Sequence, residues 1–356
     1  MRDKRIGLVA QIIDEAGLDA CILKGMDNIF YLTGFRGSEG SLLVTHEDVL
    51  LLTDFRYITH AMEVTKGIQV LEVQQKINSL PRLCDKYGIR KMGFDSAHTT
   101  YDMYARWTET LGNVELVPLN KIETIRAIKD PEEIETIKKA IRISTDAFTE
   151  VYERIKPGRT EKEIANELEY TMKRLGADCP SFNTIVASGP RAALPHAEPT
   201  DRELKDGEAV IIDFGAQVDS YCSDETCTIT LGKVNGKIDK IYSIVREAKD
   251  LGLDSIRAGM PAKELDMIVR GFIDRKGYGD FFRHGVGHGV GVAVHEAPAV
   301  NYMSESLIEP NMVLTIEPGI YIPHLGGVRL EDMVLIEENR TTVLTHIRKD
   351  MLSVRS

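Results

Sequence analysis

No apolar run in this chain approaches the roughly 20 residues a membrane span requires, so no membrane-spanning helix is expected. Blocks of lysine and arginine are also missing: 44 basic against 55 acidic residues leave a net charge of −11. That balance argues against nucleic acid or a membrane as the main partner and leaves a solvated acidic surface. Cysteine is sparse, odd in number and scattered, at Cys21, Cys84, Cys179, Cys222 and Cys227. No C-x-x-C pair is available for a structural zinc site, and such usage fits a reducing cytoplasm. The opening "MRDKRIGLVAQIIDEAG" interrupts its apolar residues with Gln11 and Asp14, so it reads as an amphipathic helix and not a secretory signal. Short repeats and low-complexity tracts are absent too.

The 356 residues, 43% of them hydrophobic and 28% charged, suffice for two folded domains. Up to about residue 124, helical patterns alternate with strands such as "DACIL" and "KMGFD", and "SLLVTHEDVLLLT" reads as two strands around a turn. This predicts a small α/β domain over 1–124. From residue 125 the composition shifts to a long charged helix entered through Asp130-Pro131. A second helix opens at Thr160 with Glu163 at capping-box spacing. Strands and turns dominate beyond residue 180, so 125–356 is expected to be a second, α+β domain.

Acidic residues then occur where strands should be apolar. Asp213 lies inside "AVIIDFGA", and Asp224 follows in "YCSDETCTIT". A buried carboxylate is costly without a partner or a metal. A hairpin turn centred between Val218 and Asp219 would set the two directly opposite, about 4.5–5.5 Å apart at Cβ. The alternative is a shifted register, with Asp224 in a loop and Asp213 paired to a basic side chain. A second pair repeats the pattern: Glu317 in "MVLTIEPGIYI" and Glu331 in "GGVRLEDMVLI", related through a turn in "IPHLGG".

"RHGVGHGVGVAVHE", residues 283–296, concentrates three of the nine histidines. A phosphate-binding loop would open a helix and carry a lysine, whereas "VAVHEAP" alternates like a strand. Four carboxylates with an imidazole suit divalent manganese, cobalt or zinc, and paired ions of this kind activate a water for hydrolysis.

Taken in order, "IIDFGA", "YCSDETCTIT", "HGVGHGVGVAVHE", "LTIEPGIYI" and "GVRLEDMVLI" resemble the metal-dependent proline peptidases of the pita-bread fold, aminopeptidase P and prolidase. "NIFYLTGFRGSEGSLLVT" and "LLTDFRY" resemble the N-terminal domain of those enzymes and of creatinase, which methionine aminopeptidases lack. The resemblance implies a creatinase-like α/β domain followed by a pita-bread catalytic domain. It implies metal ligands Asp213, Asp224, His288, Glu317 and Glu331, holding two divalent ions, Mn²⁺ before Co²⁺ or Zn²⁺. Glu317 would also accept a proton from a bridging water. His295 would meet the scissile carbonyl oxygen, and His196 and His284 would contact substrate or assist proton transfer, unless they are structural. Arg329 and Tyr321 match positions beside the metals. Expected substrates are proline-containing peptides or Xaa-Pro dipeptides, and a homodimer is the expected assembly. Rival readings are a general or methionine-type aminopeptidase, metal-free creatinase-like hydrolysis, and a non-catalytic binding module on the same fold. One departure stands out: "SDETCT" carries Cys227 where the family commonly has arginine, which puts a supporting ion pair behind the site in doubt.

Overall fold

The computed structural model describes residues 2–73, 76–120, 122–350 and 352–354. The chain divides between Ile125 and Arg126 into two compact units.

The first unit runs α1 (Arg2–Glu15), β1 (Ala20–Leu23), α2 (Met26–Thr33), β2 (Ser41–Thr45), β3 (Val49–Thr53), α3 (Ile58–Val64), β4 (Gln69–Glu72), α4 (Lys76–Tyr87), β5 (Lys91–Asp95), α5 (Tyr101–Leu111) and β6 (Glu115–Leu119). Its six strands form one mixed sheet in the order β4-β3-β2-β1-β5-β6. The "THED" turn joins β2 to β3 antiparallel, and the Thr45 hydroxyl accepts from the Asp48 amide at 2.9 Å. Ile22, Leu43, Leu50 and Leu52 pack with Trp107 in the core.

The second unit starts with α6 (Pro131–Tyr152) and α7 (Glu161–Arg174). Both carry complete capping boxes, Asp130 with Glu133 and Thr160 with Glu163. Each box satisfies backbone amides that the first helical turn leaves without partners. Next come β7 (Cys179–Pro180), β8 (Ile185–Ser188), β9 (Ala209–Phe214), β10 (Ala216–Val218), β11 (Tyr221–Cys222) and β12 (Glu225–Leu231). The helices α8 (Gly236–Ser255) and α9 (Ala262–Arg275) follow. The remaining strands are β13 (Gly287–Gly289), β14 (Glu296–Val300), β15 (Val313–Ile316), β16 (Gly319–Ile322), β17 (Gly326–Arg329), β18 (Asp332–Ile336), β19 (Thr341–Val343) and β20 (Leu352–Val354).

Each helix pair covers one set of strands. Phe148, Ile164 and Leu168 of α6 and α7 pack on Ile212, Phe214 and Ile229, with the Phe148 and Phe214 rings stacked at 5.2 Å. Ile241, Val245, Leu265 and Val269 of α8 and α9 pack on Ile316, Val328 and Val334. Every such buried side chain contributes about 1.5–3 kcal/mol. Strand alternation explains how an acid sits inside these apolar runs. In β9, Val210, Ile212 and Phe214 join the α6–α7 core, while Ile211 joins a separate cluster with Tyr321. Asp213 shares the face of Ile211, away from those helices. In β12 the same alternation sends Cys227 and Ile229 to the helix side.

Candidate active site

The first acidic hairpin differs in register from the direct pairing expected. Thr226, not Asp224, lies opposite Asp213, and Val218 pairs with Tyr221. The turn is therefore centred between Asp219 and Ser220, both at positive φ, 48° and 67°. A two-residue type I′ turn requires that conformation at both positions. Asp224 falls between β11 and β12, diagonal to Asp213 on the same face. Asp213 is also paired to a base: Arg329 Nη2 donates to its Oδ2 at 2.5 Å. The alternative register is thus the one observed, and both acids still face a common cavity.

The second hairpin keeps the expected register. Ile316 pairs with Asp332, and Gly319 with Arg329. Glu317 and Glu331 lie between these two stretches of ladder and so face each other. His324, at φ 66°, turns the chain within "IPHLGG".

A cavity of about 470 Å³ is lined by all ten residues singled out from the sequence: His196, Asp213, Asp224, His284, His288, His295, Glu317, Tyr321, Arg329 and Glu331. Within it, ligand atoms of Asp224, His288 and Glu331 lie within 4.8 Å of one another. His288 Nε2 also stands 3.5 Å from Glu317 Oε1 and 3.6 Å from Asp224 Oδ2. Its Nδ1 is 3.1 Å from the Gly289 carbonyl, which fixes that nitrogen as the donor and turns the Nε2 lone pair toward the acids. Asp213 stands outside the tight group, with one oxygen on Arg329 and the other, Oδ1, buried without a hydrogen-bond partner among the described residues.

The histidine stretch is not the continuous strand that "VAVHEAP" suggests. Residues 291–295 are bends, and β14 starts at Glu296. The glycines beside His288 allow close approach between strands, not toward the site. A Cβ on Gly287 would stand 2.0 Å from the Thr315 carbonyl oxygen, and one on Gly289 2.3 Å from that of Ala297. His295 stacks obliquely on His288 at 4.3 Å between ring centroids. His284 Nε2 meets the Tyr321 hydroxyl at 3.0 Å, and Arg329 Nη1 donates to the same hydroxyl at 2.9 Å. Arg329 Nη1 also reaches the Pro195 carbonyl at 3.1 Å, which ties the backbone beside His196 to this network.

Burial and mutual repulsion dominate the electrostatics. Burial, then the neighbouring Glu331, pushes Asp224 and Glu317 well above the usual carboxylate range. Burial, then Asp213, pushes Glu331 up to about 8. Burial brings His284 and His288 down to about 4, helped by Arg329 and His295 respectively, and it lowers His295 too. Four carboxylates against one guanidinium leave the cavity short of positive charge. The orphaned Asp213 Oδ1, the clustered donors and the inward Nε2 all fit divalent cations, since oxygen and imidazole donors suit such ions.

Several supporting residues escaped sequence reasoning. Thr226 donates its hydroxyl to Glu331 Oε2 at 2.7 Å and accepts from Arg329 Nε at 3.1 Å. Its place two residues after Asp224 in a strand was the available signal, because alternation puts both on one face. Arg270, paired with Asp266, donates to the His284 carbonyl at 2.7 Å and fixes that loop. Nothing in the local sequence marks this contact.

Residues 135–338 match the model of metallopeptidase family M24, and residues 5–128 that of the creatinase/prolidase N-terminal domain. The chain is 37% identical over 352 residues to a Xaa-Pro dipeptidase of Pyrococcus furiosus, covering 98% of this chain and 99% of that one. The structure of a Xaa-Pro dipeptidase from Bacillus anthracis superposes with a TM-score of 0.96 at 36% identity, covering 99% of this chain and 100% of that one. An X-Pro aminopeptidase from Thermotoga maritima gives a TM-score of 0.86, also at 36% identity, covering 95% and 98%.

Proposed function

The chain belongs to metallopeptidase family M24, and on that premise we propose that it hydrolyses the bond between an N-terminal residue and a following proline. The observation that carries this reading is the convergence of four carboxylates and an inward-turned imidazole in one cavity. Asp213, Asp224, His288, Glu317 and Glu331 would hold two divalent ions, Mn²⁺ in preference to Co²⁺ or Zn²⁺. Ions bound there supply Lewis acidity that brings the pKa of a water into the neutral range.

The remaining work falls to side chains. Glu317, facing Glu331 in the cavity wall, takes the proton from the attacking water. His295, which lines the cavity, donates to the scissile carbonyl oxygen as negative charge develops there. His196 contacts the substrate or helps carry to the departing proline nitrogen the proton that Glu317 has taken from the water. His284 and Arg329 act through Tyr321, which both of them bond. An Xaa-Pro bond offers no amide hydrogen, so recognition rests on the carbonyl and on the ring's shape. The protein is read as a cytoplasmic homodimer: no disulfide joins its cysteines among the described residues, and two-fold dimers are the commonest oligomers.

The test is hydrolysis of Ala-Pro and of Ala-Pro-Ala by metal-stripped protein, with and without Mn²⁺. Metal-dependent cleavage of either peptide is the expected result. Cleavage of the dipeptide alone makes the enzyme a prolidase, and cleavage of the tripeptide an aminopeptidase P. If neither is cut with any divalent ion, the peptidase reading fails in favour of a binding module.

A further inference from the structure

Directly behind the candidate metal centre lies a second layer of buried charge. Glu225 and Asp332 each follow a candidate ligand, Asp224 and Glu331, by one residue, so strand alternation points them to the opposite face. Both are buried, as are the two lysines between them, Lys249 and Lys349. Lys249 Nζ bonds Asp332 Oδ2 at 2.5 Å. Lys349 Nζ bonds Glu225 Oε1, stands 3.8 Å from Asp332 Oδ1 and donates to Cys227 Sγ at 3.4 Å. A threonine completes the layer, Thr345 Oγ1 donating to Asp332 Oδ1 at 2.7 Å. Two carboxylates meet two ammonium groups, so the layer is neutral.

Lys349 is the member that touches both ligand-bearing segments, and it reaches them from near the C-terminus. Its own backbone is fixed independently: Tyr242 of α8 donates its hydroxyl to the carbonyls of Lys349 and Asp350 at 3.4 and 3.0 Å. Just beyond, β20 pairs parallel with β12, Leu352 against Ile229. At Cys227, where an arginine is common in the resembling family, the neighbouring cation is Lys349.

We propose that Lys349 is a positioning residue for the metal centre, bracing the Asp224 and Glu331 segments from behind and so setting how tightly they hold a divalent ion. The inference rests on the metal-centre reading given above. Side chains behind a metal site act by holding its ligands in place, and losing one typically lowers affinity about 10–100-fold. Removing Lys349 alone would strand Glu225 as a buried unpaired charge. The double variant Glu225→Gln/Lys349→Met avoids that, and it leaves the net charge behind the site unchanged.

The experiment is calorimetric titration of Mn²⁺ into metal-stripped wild type, Lys349→Arg, Lys349→Met and Glu225→Gln/Lys349→Met, with thermal melts of each metal-free protein. The expected result is that the double variant melts near wild type yet binds Mn²⁺ about 10–100-fold more weakly. Lys349→Met should bind as weakly and melt lower, and Lys349→Arg should recover most of the affinity. Wild-type affinity in a folded double variant would overturn the proposal while leaving the metal centre intact. Failure of the wild type itself to bind Mn²⁺ would instead overturn the metal-centre reading, and this proposal with it.

Discussion

In the first acidic hairpin Asp213 and Asp224 stand diagonally, and Arg329 reaches across to neutralise one of them. In the second, Glu317 and Glu331 face each other with no such cation between them among the described residues, and Thr226 offers Glu331 a hydroxyl. The first hairpin therefore carries much of its own compensation. The second lacks that relief, and the repulsion it feels crosses to the first: burial and then Asp213 drive Glu331 up to about 8, while burial and then Glu331 drive Glu317 and Asp224 well above the usual carboxylate range. An ion entering this cavity would relieve repulsion shared by Asp224, Glu317 and Glu331, and would find Asp213 already met by Arg329 on one oxygen.

Neutralising one acid in each hairpin should separate the two most strongly. Glu331→Gln and Asp213→Asn should both reduce kcat/KM, on whichever of Ala-Pro and Ala-Pro-Ala the wild type cleaves, by more than the ~100-fold that loss of an outer partner brings. Their metal-free stabilities should move in opposite directions in urea melts at pH 8. Glu331→Gln relieves repulsion and raises stability; Asp213→Asn breaks a buried ion pair and lowers it. A fall in both would mean that the second hairpin stores no repulsion.

Arg329→Met tests the compensation directly. Removing one partner of a buried pair costs about 3–5 kcal/mol, here with Asp213 left among other acids. The loss should be largest in metal-free protein and smaller with saturating Mn²⁺, where a cation serves the same carboxylate. Equal losses in both states would show that Arg329 stabilises the fold without regard to the site.

The two hairpins also differ in how much of each was visible in the sequence. "IPHLGG" advertises its turn with proline and two glycines, so the Glu317–Glu331 register follows from counting. Asp219-Ser220 contains no glycine, and a left-handed pair at non-glycine residues is uncommon enough to hide the turn. The acids themselves were legible because an ionisable residue inside an apolar strand is costly and demands a reason. Which basic residue meets which acid was not, although Arg329 was expected beside the site. Arg329 meets Asp213 across 116 residues, and Lys349 meets Glu225 across 124, separations at which local spacing carries no information.

A pH titration sharpens the contrast further. The folded-state values of Asp224, Glu317 and Glu331 are raised, so folded metal-free protein binds more protons than unfolded chain between the two pKa values. Stability is then greatest below the unfolded value and is lost as pH rises toward about 8 for Glu331. His284 and His288, brought down to about 4, and His295, also lowered, act in the opposite sense, an effect that fades over about one pH unit above their ordinary value of 6.5. Between about pH 7.5 and 8 the acids should dominate the slope, a fall of up to about 1.4 kcal/mol per pH unit for each titrating group. Urea melts across that window should show the fall in wild type and a shallower one in Glu331→Gln.

The smallest expected effect lies at the turn of the first hairpin. Ser220 holds φ at 67°, where a side chain costs about 1–2 kcal/mol. Ser220→Gly removes that cost but enlarges the conformational freedom of the unfolded chain, which returns part of the gain. The net should be a stabilisation of about 0.5 kcal/mol, read as a slightly higher urea midpoint with an unchanged slope. Because the turn sets the register that places Asp213 opposite Thr226, Mn²⁺ affinity should not change. A variant that gains stability yet loses affinity would mean that the strain at Ser220 helps hold Asp224 in place, and that the first hairpin, too, stores energy for the ion.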